Sequence, residues 1–274
     1  MSQKKEGYSD PNLFKCTTGN DEVTSPSDAV FPIVKQCVDT GKLDFVGTGF
    51  FIGAEGLFLT ASHVLKDVFD NKGRARREAI GVMQKTPNNT FIPRHVVRSF
   101  SFEFSDISIG VLAAAKNNHT GDSIRNCVLN LKEKEPEVGE LVFTYAFPDT
   151  FVLNKLQDAP KNTLNMRSNY YEGHIVEFFP YGRDRAMLPN PCWRTSMYVH
   201  GGASGGPVMT SDGKVVGINS SSLFGEPNVS YVSTIRHALD INLKNVKIGS
   251  NAASMDYKLR DLVRLGMVLG ELDD

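Results

Sequence analysis

From Phe45 onward, hydrophobic and polar positions follow one another in short segments rich in β-branched and aromatic residues, each broken off by Gly, Asn, Asp or Pro. A spacing near two with such residues predicts strands at Phe45 to Ile52, Leu57 to Ala61, Ile80 to Met83, Phe91 to Phe100 and Ile107 to Leu112. A second set is predicted at Leu141 to Phe147, Gly173 to Phe179, Thr195 to Val199, Pro207 to Met209, Val215 to Asn219 and Val229 to Ser233. Many short strands without alternating helices give an all-β fold class, a sandwich or barrel. Helical periodicity is confined to the end of the chain, at Thr234 to Leu243 and Met255 to Leu272. There Leu259, Leu262, Val263, Leu265, Val268 and Leu269 predict an apolar face packed on the second strand set.

The same pattern divides the chain. Residues 1–28 are polar and turn-rich, with Asp10-Pro11, Gly19-Asn20-Asp21 and Ser25-Pro26, and predict a flexible polar arm. Residues 29–135 form a first strand-rich unit and 136–245 a second, with 246–274 as a C-terminal helical extension. The boundary falls near Lys132 to Glu137, where Pro136 interrupts a polar, charged link.

With 274 residues, 41% of them hydrophobic, the chain can bury a sizeable core without disulfide or metal staples. Thirty Lys and Arg against 31 Asp and Glu leave a net charge of -1, so charge gives no reason to expect nucleic acid or an anionic membrane as partner. The N-terminus runs into Pro, Asp and Asn with no apolar signal region, and no apolar run reaches the roughly 18 residues of a membrane span. A cytoplasmic protein is expected. Cys16, Cys37, Cys127 and Cys192 are scattered without a CxxC pair and are expected to be reduced thiols. His95, His119, His174 and His237 lack the spacing of metal ligands, so neither metal nor other cofactor is expected.

Three segments carry chemistry. Acyl transfer at neutral pH needs a hydroxyl activated by an adjacent base, a third group that holds the base in one tautomer, and donors for the developing oxyanion. His63, in Thr60-Ala61-Ser62-His63, follows directly on an apolar strand and is a candidate base at a strand end. Asp106, in Asp106-Ile107-Ser108-Ile109, leads into an apolar strand, and a partly buried carboxylate there calls for a partner that can carry positive charge. Ser204 lies in Gly202-Ala203-Ser204-Gly205-Gly206-Pro207. Four glycines between Gly201 and Gly206 open backbone conformations closed to other residues, and Pro207 prevents a helix from following. Such a turn can aim successive N–H groups at one point.

These three motifs, in the order His, Asp, Ser, resemble those of the trypsin-like, chymotrypsin-fold serine proteases. The resemblance extends over about residues 30 to 245 and implies two six-stranded antiparallel β-barrels with the active site between them, His63 and Asp106 in the first and Ser204 in the second. It implies a serine endopeptidase acting on protein or peptide substrates. His63 would take the Ser204 proton, Asp106 would orient the imidazole, and the N–H groups of Gly202 and Ser204 would form the oxyanion hole. By the same alignment Tyr198 sits near the base of the S1 pocket, Asn219, Ser220 and Ser222 line a wall, and His200 stands either at the pocket or on the surface. No acid occurs among these positions, so a preference for Arg or Lys at P1 is not expected.

Two departures from the family matter. Ala203 stands where zymogen-activated members carry an Asp that pairs with a new N-terminus. Activity without N-terminal processing is therefore expected, or control by an activating partner or homo-oligomer. Val64 and Val199 to Gly201 stand where secreted members carry disulfide cysteines, as in intracellular or bacterial members. The match of Gly202 to Gly206 with the nucleophile elbow of α/β-hydrolases fails on context, since Gly-Gly-Pro rather than a helix follows the Ser. A catalytically silent or latent binding module on the same barrels is the alternative from another class. The loop Lys66 to Arg77, with Arg74, Arg76 and Arg77, and the insertion Asp149 to Arg167 are expected to frame the cleft.

Overall fold

The computed structural model describes residues 16–17, 23–66, 78–85, 91–102, 104–116, 121, 123–153, 163–185, 188–222, 229–247 and 253–273. The predicted polar arm lies largely outside them. Its described parts are a two-strand pairing of β1 (Cys16–Thr17) with β2 (Val23–Thr24) and a 3-10 turn at Pro26–Asp28.

The first barrel is built from β3 (Val30–Cys37), β4 (Leu43–Gly53), β5 (Leu57–Thr60), β6 (Glu78–Lys85), β7 (Phe91–Ser101) and β8 (Ser108–Leu112), with the single-turn helix α1 (Ser62–Leu65) after β5. It closes in the order β3-β4-β5-β8-β7-β6. Period-two alternation places Phe31, Ile33, Phe51, Phe58, Val82, Val96 and Leu112 inside. Strand β3 is absent from the sequence expectation because Pro32, Lys35 and Gln36 break its alternation. Its place is nonetheless fixed by Phe31, whose ring centroid lies 4.4 Å from that of Phe51.

The second half contains β9 (Leu131–Lys132), β10 (Leu141–Ala146), β11 (Phe151–Leu153), β12 (Thr163–Asn165), β13 (Asn169–Phe179), β14 (Cys192–Thr195), β15 (Pro207–Thr210), β16 (Val215–Ser222) and β17 (Ser230–Thr234). The order β15-β10-β13-β14-β17-β16, with β16 pairing back to β15, closes a second six-stranded barrel. Trp193 is 1% exposed at its centre, among Val142, Ile175, Val208, Val216 and Val232. The strand expected at Thr195 to Val199 is shifted. β14 ends at Thr195, and the following residues leave the sheet with Met197 and Val199 buried in the apolar cluster that also holds Ala203. Between the barrels runs a continuous apolar layer that joins Phe50, Ile52, Leu59, Ile107 and Ile109 to Phe143, Tyr145, Met209 and Ile218.

The C-terminal helices are shorter than their periodicity suggests. Helix α2 spans Ile235–Leu239, and α3 spans only Leu259–Arg264. Residues on either side of α3 form strands: β18 (Asn242–Lys247) pairs with β19 (Ser254–Lys258), and β20 (Gly270–Glu271) runs parallel to β9. Gly266, at φ 69°, ends α3 in a left-handed turn, and Leu265 is 57% exposed rather than on the buried face.

This end of the chain is tied to the inter-barrel link by Glu133. Its carboxylate is buried and accepts from Arg260 Nη1 and Nη2 at 2.8 and 2.7 Å, from Arg236 Nε at 3.4 Å and from the Asp273 N–H at 3.0 Å. The Arg260 hydrogen bonds, aided by the Asp273 N–H, hold its pKa down to about 2. Among the described residues Cys37, Cys127 and Cys192 form no disulfide, no group of three His, Cys, Asp or Glu could hold a metal ion, and no helix is long and apolar enough to cross a membrane.

Candidate active site

The chain leaves β5 at Thr60 and turns at once into α1, which sets His63 at the rim of the first barrel. The turn is clamped to the approach to β8. Ser62 N–H donates to the Asp106 carbonyl at 3.2 Å, and the Ser62 hydroxyl lies 2.9 Å from that of Ser108. The clamp brings the Asp106 carboxylate under the imidazole: Oδ1 accepts from the His63 N–H at 3.1 Å, and both carboxylate oxygens lie 3.0 Å from His63 Nδ1. A proton on Nδ1 fits this geometry and leaves Nε2 as the acceptor. Asp106 is 13% exposed against 42% for His63, so the carboxylate is shielded while the ring is open to an incoming molecule.

Asp106 is also held from the second barrel. Its backbone N–H donates to Oδ1 of Asn190, a residue 1% exposed in the approach to β14. Nothing in the local sequence around Asn190 marks this role, since the two residues are 84 positions apart.

The Ser204 loop sits between β14 and β15 and packs on the first barrel. A Cβ placed on Gly205 would lie 2.1 Å from both the Thr48 carbonyl and the Thr60 hydroxyl and 2.9 Å from the Ala61 nitrogen, so only glycine allows the loop to rest on the residues leading to His63. Gly202 and Gly205 adopt φ of 92° and 88°. Every carbonyl from Gly201 to Ser204 has a partner: in chain order the Asp149 N–H at 3.4 Å, the Thr48 hydroxyl at 2.9 Å, the Gly206 N–H at 3.0 Å and the Thr48 N–H at 2.8 Å. The Ala203 and Gly205 N–H groups donate to His200 and Asn219 carbonyls. Among the described residues the N–H groups of Gly202 and Ser204 donate to no acceptor. The Ser204 hydroxyl donates to the Ser220 carbonyl at 3.3 Å.

Ala203 is fully buried and belongs to the second barrel's apolar cluster. Cys192 lies in a separate apolar cluster with Leu188 and Tyr231, and burial pushes its thiol pKa up, away from thiolate chemistry.

The expected substrate-side residues are dispersed. Tyr198 is half exposed and meets His200 edge-on at 4.6 Å between ring centroids, and His200 stacks on Tyr171 at 6.0 Å. Asn219 does not face the cleft. It is 3% exposed, its amide donates to the Thr144 hydroxyl at 2.7 Å, and its backbone N–H and C=O bond Gly206 and Gly205, so it braces the loop from within. Ser220 turns its hydroxyl to Ser233 at 2.7 Å and presents its carbonyl to Ser204. Ser222 ends β16, paired with Ser230. The loop carrying Arg74, Arg76 and Arg77 lies outside the described residues. The described ends of the Asp149 to Arg167 insertion pair as β11 and β12, next to the Ser204 loop through the Asp149–Gly201 contact.

Comparison with known proteins gives this arrangement its context. A sequence profile described as a trypsin-like peptidase domain matches residues 47–218. The uncharacterized protein y4bJ of Sinorhizobium fredii is 24% identical over 219 residues, covering 80% of this chain and 29% of that protein. The chain thus spans under a third of the length of this relative. Among solved structures, the active form of the Rv3671c protease of M. tuberculosis is similar with a TM-score of 0.51 and 17% identity, covering 76% of this chain and 77% of the other. A serine endoprotease from Yersinia pestis matches with a TM-score of 0.51 and 18% identity, over 76% of this chain and 59% of the other. At these identities the likeness is one of fold.

Proposed function

The chain belongs to the trypsin-like peptidase domain family, and on that premise we propose that it is a serine endopeptidase with Ser204 as nucleophile, His63 as general base and Asp106 as the group that orients it. The observation that carries this proposal is the pairing of His63 Nδ1 with both Asp106 oxygens at 3.0 Å, on a turn against which the Ser204 loop is packed.

In the proposed reaction the Ser204 hydroxyl leaves the Ser220 carbonyl, turns its proton to His63 Nε2 and attacks the substrate carbonyl carbon. The oxyanion is received by the N–H groups of Gly202 and Ser204, whose lack of an acceptor among the described residues supports that role. His63 then protonates the leaving amine, giving an acyl-enzyme that water hydrolyses by the same steps. Asp106 stabilises the imidazolium throughout. Tyr198, His200 and the backbone of Ser220 and Ser222 are proposed to line the substrate side. With no carboxylate among them, a neutral or polar P1 side chain fits better than Arg or Lys.

A second reading, a latent form of the same site, is favoured by one contact: the Ser204 hydroxyl is engaged by the Ser220 carbonyl. Hydrolysis of a fluorogenic peptide library by the purified chain, compared with Ser204→Ala, tests the proposal. Turnover by wild type alone supports it. Equal turnover by the two proteins assigns the activity to something other than Ser204.

A further inference from the structure

The four carbonyls that shape the Ser204 loop do not have four independent anchors, because two of them end on one residue, Thr48 in β4 of the opposite barrel. The Thr48 N–H donates to the Ser204 carbonyl at 2.8 Å, and the Thr48 hydroxyl donates to the Gly202 carbonyl at 2.9 Å. That hydroxyl in turn accepts from the Phe147 N–H at 3.2 Å, and the Thr48 carbonyl accepts from the Thr60 hydroxyl at 2.6 Å. Thr48 is fully buried, and Thr60 lies three residues before His63.

We propose that Thr48 is a positioning residue for the oxyanion hole, its hydroxyl fixing the Gly202–Ala203 peptide that lies between the two peptides bearing the Gly202 and Ser204 N–H groups. This assignment rests on the serine-peptidase mechanism proposed above. The Gly202–Ala203 peptide is pinned at its oxygen by Thr48 and at its N–H by the His200 carbonyl at 3.3 Å. With that plane set, rotation of Gly202, which glycine otherwise permits at little cost, is stopped. The hydroxyl uses its one proton on Gly202 and a lone pair on Phe147, so a single buried group couples the loop to β4 and to the end of β10. Where a charge pair at the residue before the nucleophile would order such a loop, Ala203 offers none, and Thr48 supplies an anchor that needs no proteolytic step.

Thr48 touches neither substrate nor the reacting atoms, so the loss on removing its hydroxyl is one of geometry. Misplacing an oxyanion donor by a fraction of its hydrogen-bond length predicts a fall in kcat of about 10- to 100-fold, with KM within about twofold. The test compares wild type, Ser204→Ala, Thr48→Val and Thr48→Ser on one peptide ester, together with inhibition by a peptide boronate, which occupies the oxyanion hole as a transition-state mimic. Thr48→Val should lose kcat and weaken the boronate by the same factor, while the acid limb of its pH profile stays in place. Thr48→Ser, which keeps the hydroxyl, should stay within about threefold of wild type. If Thr48→Val does not fold, Thr48→Ala removes the same hydroxyl with less side chain to repack.

Unchanged kcat in a folded Thr48→Val or Thr48→Ala overturns the assignment, as does a Thr48→Ser as impaired as either. Inert wild type overturns the peptidase proposal and this inference with it. Active wild type with an unaffected hydroxyl-less variant overturns this inference alone.

Discussion

The backbone N–H of Asp106 donates to Asn190 Oδ1 at 3.3 Å, so a residue of the second half of the chain holds the acid that serves the imidazole of the first. Asn190 donates its own amide to the Pro191 carbonyl at 3.0 Å, which fixes the orientation of its side chain. Its removal leaves a partly buried N–H without an acceptor beside the carboxylate. Asn190→Ala should therefore lower kcat by about 3- to 10-fold with little change in KM, the result of a small displacement of Asp106. Steady-state kinetics on a peptide ester checks this, and a pure KM effect would contradict it.

Asp106→Asn keeps the shape of the site and removes the charge that stabilises imidazolium. An amide under Nδ1 also favours the wrong tautomer, so kcat should fall by about 10⁴-fold while substrate binding is retained. Thermal unfolding measured in parallel should show a folded protein.

Ala203→Asp would place a carboxylate at a fully buried position within an apolar cluster. An uncompensated buried charge typically costs several kcal/mol, enough to distort the loop or unfold the protein. The expected outcome is loss of more than about 100-fold in activity, not restored by creating a new N-terminus near residue 30. Restoration by such a cut would show that the loop can use the charge switch after all.

Glu133 predicts an acid limb in stability. Its pKa is lowered to about 2 in the folded chain, chiefly by the Arg260 hydrogen bonds, against 4.5 as an ordinary carboxylate. The group binds fewer protons folded than unfolded at pH values between these two. Its contribution, about 3 kcal/mol, is complete above the ordinary carboxylate range and is lost as pH falls toward 2. Urea midpoints measured from pH 6 down to pH 3 should fall more steeply for wild type than for Glu133→Gln. Parallel slopes would remove Glu133 from the account.

The all-β class and the three motif segments were legible because each depends on local pattern, whereas closure into two barrels followed from the family resemblance that those motifs carry. Alternation along β4 and β5, and glycine with Pro207 around Ser204, are properties of a few adjacent residues. Strand β3 was not legible, since Pro32 and the polar pair Lys35-Gln36 hide its alternation. The stretch from Asn242 to Lys258 was misread in part because β18 and β19 are mostly exposed and carry no period-two signal. The helical spacing that continues past Arg264 ends at Gly266, whose left-handed turn outweighs the apolar pattern. Thr48 and Asn190 escape sequence reasoning for another reason. Their hydrogen bonds reach groups 154 and 84 residues away, and such pairings leave no trace in local composition. Asn219 was placed on the substrate wall by alignment, whereas its side chain points inward to Thr144.

The central claim is that Ser204 is the activated nucleophile. A fluorophosphonate probe reacts only where a serine hydroxyl, a base and oxyanion donors are assembled together. Incubated with the purified chain and mapped by peptide mass spectrometry, it should modify Ser204 in wild type, much more slowly in His63→Ala, and not at all in Ser204→Ala. Labelling of Ser204 at equal rates in wild type and His63→Ala, or no labelling of wild type, would contradict the account.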